Sequence, residues 1–196
     1  MPPKCKFTRQ EVIQAALDMT RESGIDAVTA RALGEKLGSS SRPIFSLFQS
    51  MQEVHQEVLR AANALYQEYL KRDMESGEYP VYKASGIGYI RFAKEERELF
   101  QLLFMRDRSG EQVEDNREEI RDLIQLIMKN TGLSEQAAYL FHLEMWVYVH
   151  GIATMIATSY LEWQWDTISQ MLTDGYEGLK MRYCGKEKNN GSNQDN

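Results

Sequence analysis

In 196 residues the chain has two cysteines, four prolines and three histidines, and each shortage excludes something. Cys5 and Cys184 are too few and too far apart in sequence for a disulfide framework, and read as free thiols of a reducing compartment. Scarce proline, with abundant Glu, Leu, Ala, Met and Gln, favours helix over sheet. His55, His142 and His150 lack partners at metal-ligand spacing, and His142 with Glu144 does not make HExxH. No run approaches the roughly 18 apolar residues of a membrane span. The opening MPPKCKFTRQ is basic but has no apolar core, unlike a secretory signal. Gly86-Ile87-Gly88 follows no strand and completes no phosphate loop, and nucleophile motifs are lacking. The expectation is a cytoplasmic protein that is not an enzyme, with no cofactor, no metal and no membrane partner.

What is present is an ordinary globular balance, 42% hydrophobic and 27% charged, with a net charge of −6. The charge is unevenly spread. Residues 1–50 carry seven Lys or Arg against five Asp or Glu, a net of +2, and the remainder carries sixteen against twenty-four, a net of −8. A small basic head on an acidic body suits contact with a polyanion at one end.

Helix signals run the length of the chain. Thr8 and Glu11 form a capping box that opens a first helix, and Val12, Ala15, Ala16 and Met19 repeat at helical spacing until Gly24. Thr29 caps a second helix with Leu33 and Leu37 inside, ended by Gly38. Ser40 is the expected cap of a short third helix over about 41–47, with Pro43 in its first turn and Ile44 and Phe48 turned inward. Ser50 and Glu53 make a second capping box before a long fourth helix from Met51, through which the boundary between head and body runs. A fifth and a sixth helix, about 81–94 and 98–105, carry an aromatic-rich set: Tyr89, Phe92, Phe100, Leu103 and Phe104. A seventh ends near Gly132, an eighth runs from Ser134 to about Tyr160, and a ninth covers about 167–183. The polar tail GKEKNNGSNQDN reads as disordered.

The stretch 28–54, VTARALGEKLGSSSRPIFSLFQSMQEV, has the layout of a helix-turn-helix, whose second helix enters the DNA major groove. Together with Ala15-Ala16 of the first helix, its Val28-Thr29, Arg31-Ala32-Leu33, Leu37-Gly38 and Phe45 with Phe48 resemble the DNA-binding domain of the tetracycline-repressor (TetR/AcrR) family of bacterial transcription regulators. By this resemblance Thr29 is a cap that touches a phosphate, and Ser40, Ser41, Arg42 and Pro43 open the recognition helix. Ser46 faces the groove, and Lys6, Arg31, Phe45 and Gln49 complete the DNA-binding set. Arg42 is the candidate for bidentate guanine readout. Three departures stand out: Phe45 replaces a usual Tyr, Leu47 a common His, and Gln49 and Met51 two frequent lysines. Fewer phosphate contacts imply weaker, less salt-sensitive binding, which a basic arm of Lys4, Lys6 and Arg9 could offset.

In the body, Trp146, His150 and Gly151 in MWVYVHGIAT, with ELFQLLF, resemble one Trp-His-Gly-containing subgroup of that family. Trp146 and His150 are four apart and share a helix face. They read equally as an effector site or as core, with His150 bonded to a neighbouring helix; Gly151 reads as a point of close helix approach. Tyr89, Phe100, Phe104, Met145, Trp146, His150 and Met155 form the candidate ligand-binding set, for a largely apolar small molecule. Glu144, the one acid in the apolar run 137–157, faces a cavity, solvent or an arginine, the last two being the favoured readings.

The expected architecture is all-α: a three-helix DNA-binding head (1–52, with its arm), a roughly six-helix effector-binding and dimerisation body (53–184) and a tail (185–196). The expected function is a ligand-responsive regulator, a repressor released from a palindromic DNA operator by its effector. It would act as a homodimer through the last two helices, burying faces such as Met171 and Leu172. The competing reading, prompted by the substitutions at Phe45, Leu47 and Gln49, is a helical ligand-binding or protein-interaction module that no longer reads DNA.

Overall fold

The computed structural model describes residues 7–109, 118 and 120–191, the last six as helical backbone only. Among these the secondary structure is entirely helical, and the chain divides into two compact units. One comprises the chain through Tyr69 with Phe92–Asp107, and the other Leu70–Arg91 with the chain from Arg108 onward. The first unit therefore takes in more than the 1–52 head, because α6 packs on α1.

In the first unit, α1 (Arg9–Ser23) opens on the complete Thr8–Glu11 capping box and ends at Gly24, whose φ of +79° suits a residue without Cβ. After a 3-10 turn (Ile25–Ala27) come α2 (Ala30–Lys36), α3 (Arg42–Phe45), α4 (Met51–Glu75) as far as Tyr69, the end of α5 (Val81–Glu95) from Phe92, and α6 (Arg97–Phe104). Val12, Ala16, Leu33, Ile44, Phe48 and Val54 are buried together in the core. Ala15 is only half-buried, and Leu17 and Thr20 take the remaining inward positions of α1. Tyr66 packs edge-on to Phe104 at 5.1 Å and against Phe92 at 5.4 Å, so Phe92 and Phe100 are core of this unit with Phe104 half-buried against them. The buried Glu96 carboxylate accepts from Arg21 Nε at 2.7 Å and from Tyr69 at 3.4 Å. Such a pair is costly to break from one side, since it would leave a buried charge without its partner.

The second unit holds α5 through Arg91, α7 (Arg121–Thr131), α8 (Glu135–Ala157) and α9 (Trp165–Gly191). Gly132 closes α7 in the left-handed conformation and Ser134 caps α8, bonding the Ala137 amide at 3.4 Å. Phe141, Met145, Ile152, Ile156, Ile168 and Leu172 are buried. Asp73 is buried against Arg91, at 3.1 Å, and the Arg91 guanidinium lies 4.7 Å over the Trp165 ring. By length and composition α8 could cross a membrane, but it packs on both α7 and α9 as a core helix does.

Four local expectations are corrected. Ser40 does not cap α3: Ser41 holds the cap position without a side-chain bond, and the helix is one turn long. The Ser50–Glu53 box is half-formed. Ser50 Oγ accepts the Glu53 amide at 3.2 Å, but the Glu53 carboxylate takes the Gln49 amide at 2.6 Å instead of that of Ser50. Helix α9 continues through Gly191, beyond the point where polar composition suggested a tail. Tyr89 belongs to the second unit, apart from the aromatic set of the first.

Candidate nucleic-acid interface and effector site

The helix-turn-helix is held by contacts that sequence spacing only partly announces. Thr29 Oγ1 accepts the Ala32 amide at 3.2 Å, capping α2. Gly34, inside α2, faces the turn into α3 so closely that a Cβ there would meet the backbone of Ser40 at 2.9 Å and of Ser41 at 3.0 Å. That approach sets where the turn into α3 leaves α2. On the far side His55 Nε2 bonds the Val28 carbonyl at 2.8 Å, tying the start of α2 to α4. Neither Gly34 nor His55 carried a periodic or motif signal; only the partners across the turn reveal them.

With Ile44 and Phe48 turned inward, Arg42, Phe45, Ser46 and Gln49 are exposed, as are Thr29, Arg31 and Ser40. Arg31 pairs with Glu35 at 2.9 Å, but its side chain is 91% exposed, and such a pair contributes little. The Ser46 hydroxyl donates to the Pro43 carbonyl at 2.6 Å. Ser41 and Pro43 are half-buried, and Pro43 costs no helical bond at its first-turn position. Lys6, with Lys4, lies outside the described residues.

Arg9 serves the fold and is not a spare phosphate contact. Its guanidinium donates to the Leu47 carbonyl at 2.8 Å, to Glu53 at 2.9 Å and to Glu57 at 2.8 Å, and lies 4.2 Å over the Phe48 ring. The Gln49 amide and then Arg9 hold the Glu53 carboxyl below the ordinary carboxylate range; Arg60 and then Arg9 do the same for Glu57. The arginine thus clamps the turn after α3 to the start of α4.

In the second unit three of the candidate ligand residues come together. The Tyr89 hydroxyl donates to His150 Nδ1 at 2.8 Å if the proton sits on Nε2, and the Trp146 ring stacks on His150 at 5.2 Å and 17°. One turn further along α8, Thr154 Oγ1 is buried with no hydrogen-bond partner among the described residues. Burial pushes the His150 pKa down, so the neutral ring is favoured. The remaining candidates scatter. Met145 lines an open groove of about 380 Å³ between α8 and α9, with Glu144, Tyr148, Gly175 and Gly178. Met155 is exposed on α8, and Phe100 and Phe104 lie in the first unit. Glu144 pairs with Arg182 at 3.1 Å and accepts from Tyr183 at 2.9 Å, the arginine alternative among its readings. Among the described residues no three His, Cys, Asp or Glu side chains converge as a metal site.

The outward face of α8 is apolar. Leu140, Val147 and Met155 repeat at seven- and eight-residue intervals and are exposed, Val147 by 63%. Gly151, on the same helix, has nothing within 4 Å of a Cβ position among the described residues, so it permits no close approach among them. Leu172, expected outside, is buried, its Cδ1 3.5 Å from where a Cβ of Gly86 would sit.

Residues 82–175 match the family described as tetracyclin repressor-like, C-terminal domain. No curated protein matches the chain. Among solved structures the chain is similar to a TetR variant from Acinetobacter baumannii AYE, crystallised in complex with minocycline. The two are 20% identical, the alignment covers 93% of this chain and 98% of that one, and the TM-score is 0.52. At that identity the likeness establishes a common all-helical fold.

Proposed function

We propose that this chain is a TetR-family regulator: a ligand-responsive, DNA-binding repressor released from a pseudo-palindromic operator by a small molecule. The observation that carries the reading is the recognition turn. Arg42 and Phe45 on the one-turn α3, and Ser46 and Gln49 just after it, stand exposed, while Ile44 within the helix and Phe48 beyond it are anchored in the core and Gly34 packs against the turn that leads in. This is the arrangement a major-groove reader needs, exposed side chains presented to base edges on an anchored backbone. Arg42 is the guanine reader and Thr29 the phosphate contact, its hydroxyl able to donate outward while accepting from Ala32.

The likeness of residues 82–175 to repressor C-terminal domains supports an effector site in the body, and we assign its centre to Tyr89, Trp146 and His150. A stacked indole–imidazole pair with a tyrosine hydroxyl suits a flat, largely apolar molecule with one or two polar atoms. The homodimer would form through α8 and α9, with the Leu140–Val147–Met155 seam at its centre and the bare Gly151 admitting the partner helix. Helix α4, continuous from Met51 to Glu75, is the element through which an effector would change operator affinity, and operator DNA must weaken the effector equally. The bacterial cytoplasm is the compartment this function implies.

Selection from a random double-stranded DNA library, followed by anisotropy titration of the enriched duplex, tests the reading. The expected product is a two-fold-symmetric site bound by a dimer. The few exposed cations on the turn imply a salt dependence shallower than a log–log slope of about −8. The absence of any enriched duplex at low salt would favour the module that does not read DNA, and a steeper slope would show phosphate contacts beyond those named here.

A further inference from the structure

The recognition turn carries an aromatic ring that the fold leaves half exposed. Ile44 and Phe48 are 0% and 2% exposed, whereas Phe45 between them is 48% exposed. It lies three residues after Arg42 on the single turn of α3, so those two share a face at helical spacing, and Gln49, in the turn that follows, is exposed as well. Leaving half of a large ring in water forgoes part of the hydrophobic gain of burying it. Phe45 has no hydrogen-bonding atom and so cannot hold a phosphate. Ser46, beside it, already spends its hydroxyl proton on the Pro43 carbonyl at 2.6 Å. The turn thus offers a guanidinium, an amide and one apolar ring. The major groove offers donors, acceptors and one apolar group on its base edges, the thymine C5 methyl.

We propose that Phe45 determines specificity by packing its ring on a thymine C5 methyl in each half-site, next to the base pair that Arg42 reads. This rests on the DNA-reading function proposed above. Discrimination at that position comes from burying a methyl group, so it is insensitive to salt, in contrast to contacts made through phosphates.

The test uses the full chain and the duplex enriched from the random library, remade with deoxyuridine in place of thymidine at one position per half-site in turn. Uracil differs from thymine only in lacking the methyl. Wild-type protein is expected to lose about fourfold in affinity per half-site at one position, the effect of withdrawing one buried methyl. Phe45→Ala should bind the thymine duplex more weakly by a similar factor and bind thymine and uracil duplexes alike; Phe45→Leu should keep part of the preference. Circular dichroism and thermal unfolding establish that both variants fold. Wild-type binding that is indifferent to uracil at every position overturns the proposal and leaves DNA reading intact. So does a thymine preference that survives in Phe45→Ala, since another residue would then read the methyl. If no duplex is enriched at all, the DNA-reading function fails and this inference falls with it.

Discussion

Gly34 shows how much one side chain can decide. In an exposed helix interior, replacing glycine by alanine stabilises by up to about 1 kcal/mol. Here the added methyl would meet the Ser40 and Ser41 backbone at 2.9–3.0 Å, and backbone cannot rotate aside as a flexible side chain can. Overpacking of this kind costs about 1–3 kcal/mol, so the clash outweighs the propensity gain. Gly34→Ala is therefore expected to lower the melting temperature by several degrees and to abolish selection of an operator, because the recognition turn must move. An unchanged melting curve with unchanged DNA binding would show that the turn is not positioned by this contact. Arg9 is the complementary case, a half-exposed cation whose three acceptors and ring partner tie it to the fold.

Two tyrosine–histidine pairs join α5 to α8. Tyr82 bonds His142 Nδ1 at 3.1 Å and Tyr89 bonds His150 Nδ1 at 2.8 Å, seven residues apart on α5 and eight on α8. Burial lowers both histidine pKa values. The unfolded chain, with ordinary histidines near 6.5, therefore binds more protons than the folded chain wherever pH lies between the two values. Stability then rises with pH across that interval: the contribution is fully present above about pH 6.5 and is lost as pH falls through the folded values. Urea unfolding at pH 7.5, 6.5 and 5.5 should show a midpoint that drops on acidification, and the His142→Gln, His150→Gln double variant should flatten the drop. An equally steep drop in that variant would assign the acid sensitivity elsewhere.

For the whole molecule, the question raised by the structure is what covers α8. Leu140, Val147 and Met155 are exposed at near-heptad spacing, the pattern of a seam between two helices, and a homodimer of the proposed kind would bury it twice. Leu140→Asp with Val147→Asp places a carboxylate pair at the two-fold axis while touching no residue of the chain's own core. Sedimentation should show a dimer for wild type and a monomer for this variant, with operator affinity reduced because one head alone grips few phosphates. A variant that remains dimeric would move the interface to another surface.

The sequence by itself determined the helices, most of their caps and the inward residues of the head: Thr8 with Glu11, Thr29 and Ser134 cap, and Ile44 and Phe48 are buried. These follow from interactions within a few residues of each other, which spacing records directly. It also placed the exposed face of the recognition turn, because anchoring Ile44 and Phe48 leaves Arg42 and Phe45 outside. What only tertiary structure decided depends on partners distant in sequence. That Arg9 clamps Leu47, Glu53 and Glu57, that Leu172 turns inward over Gly86, and that Glu144 meets Arg182 are all set by elements roughly 38 or more residues away. The same holds for the effector candidates: Tyr89, Trp146 and His150 converge because α5 packs on α8, while Phe100 and Phe104 pack within the other unit. An apolar residue at helical spacing specifies that a face will be buried, and the partner that buries it is chosen only when the helices pack.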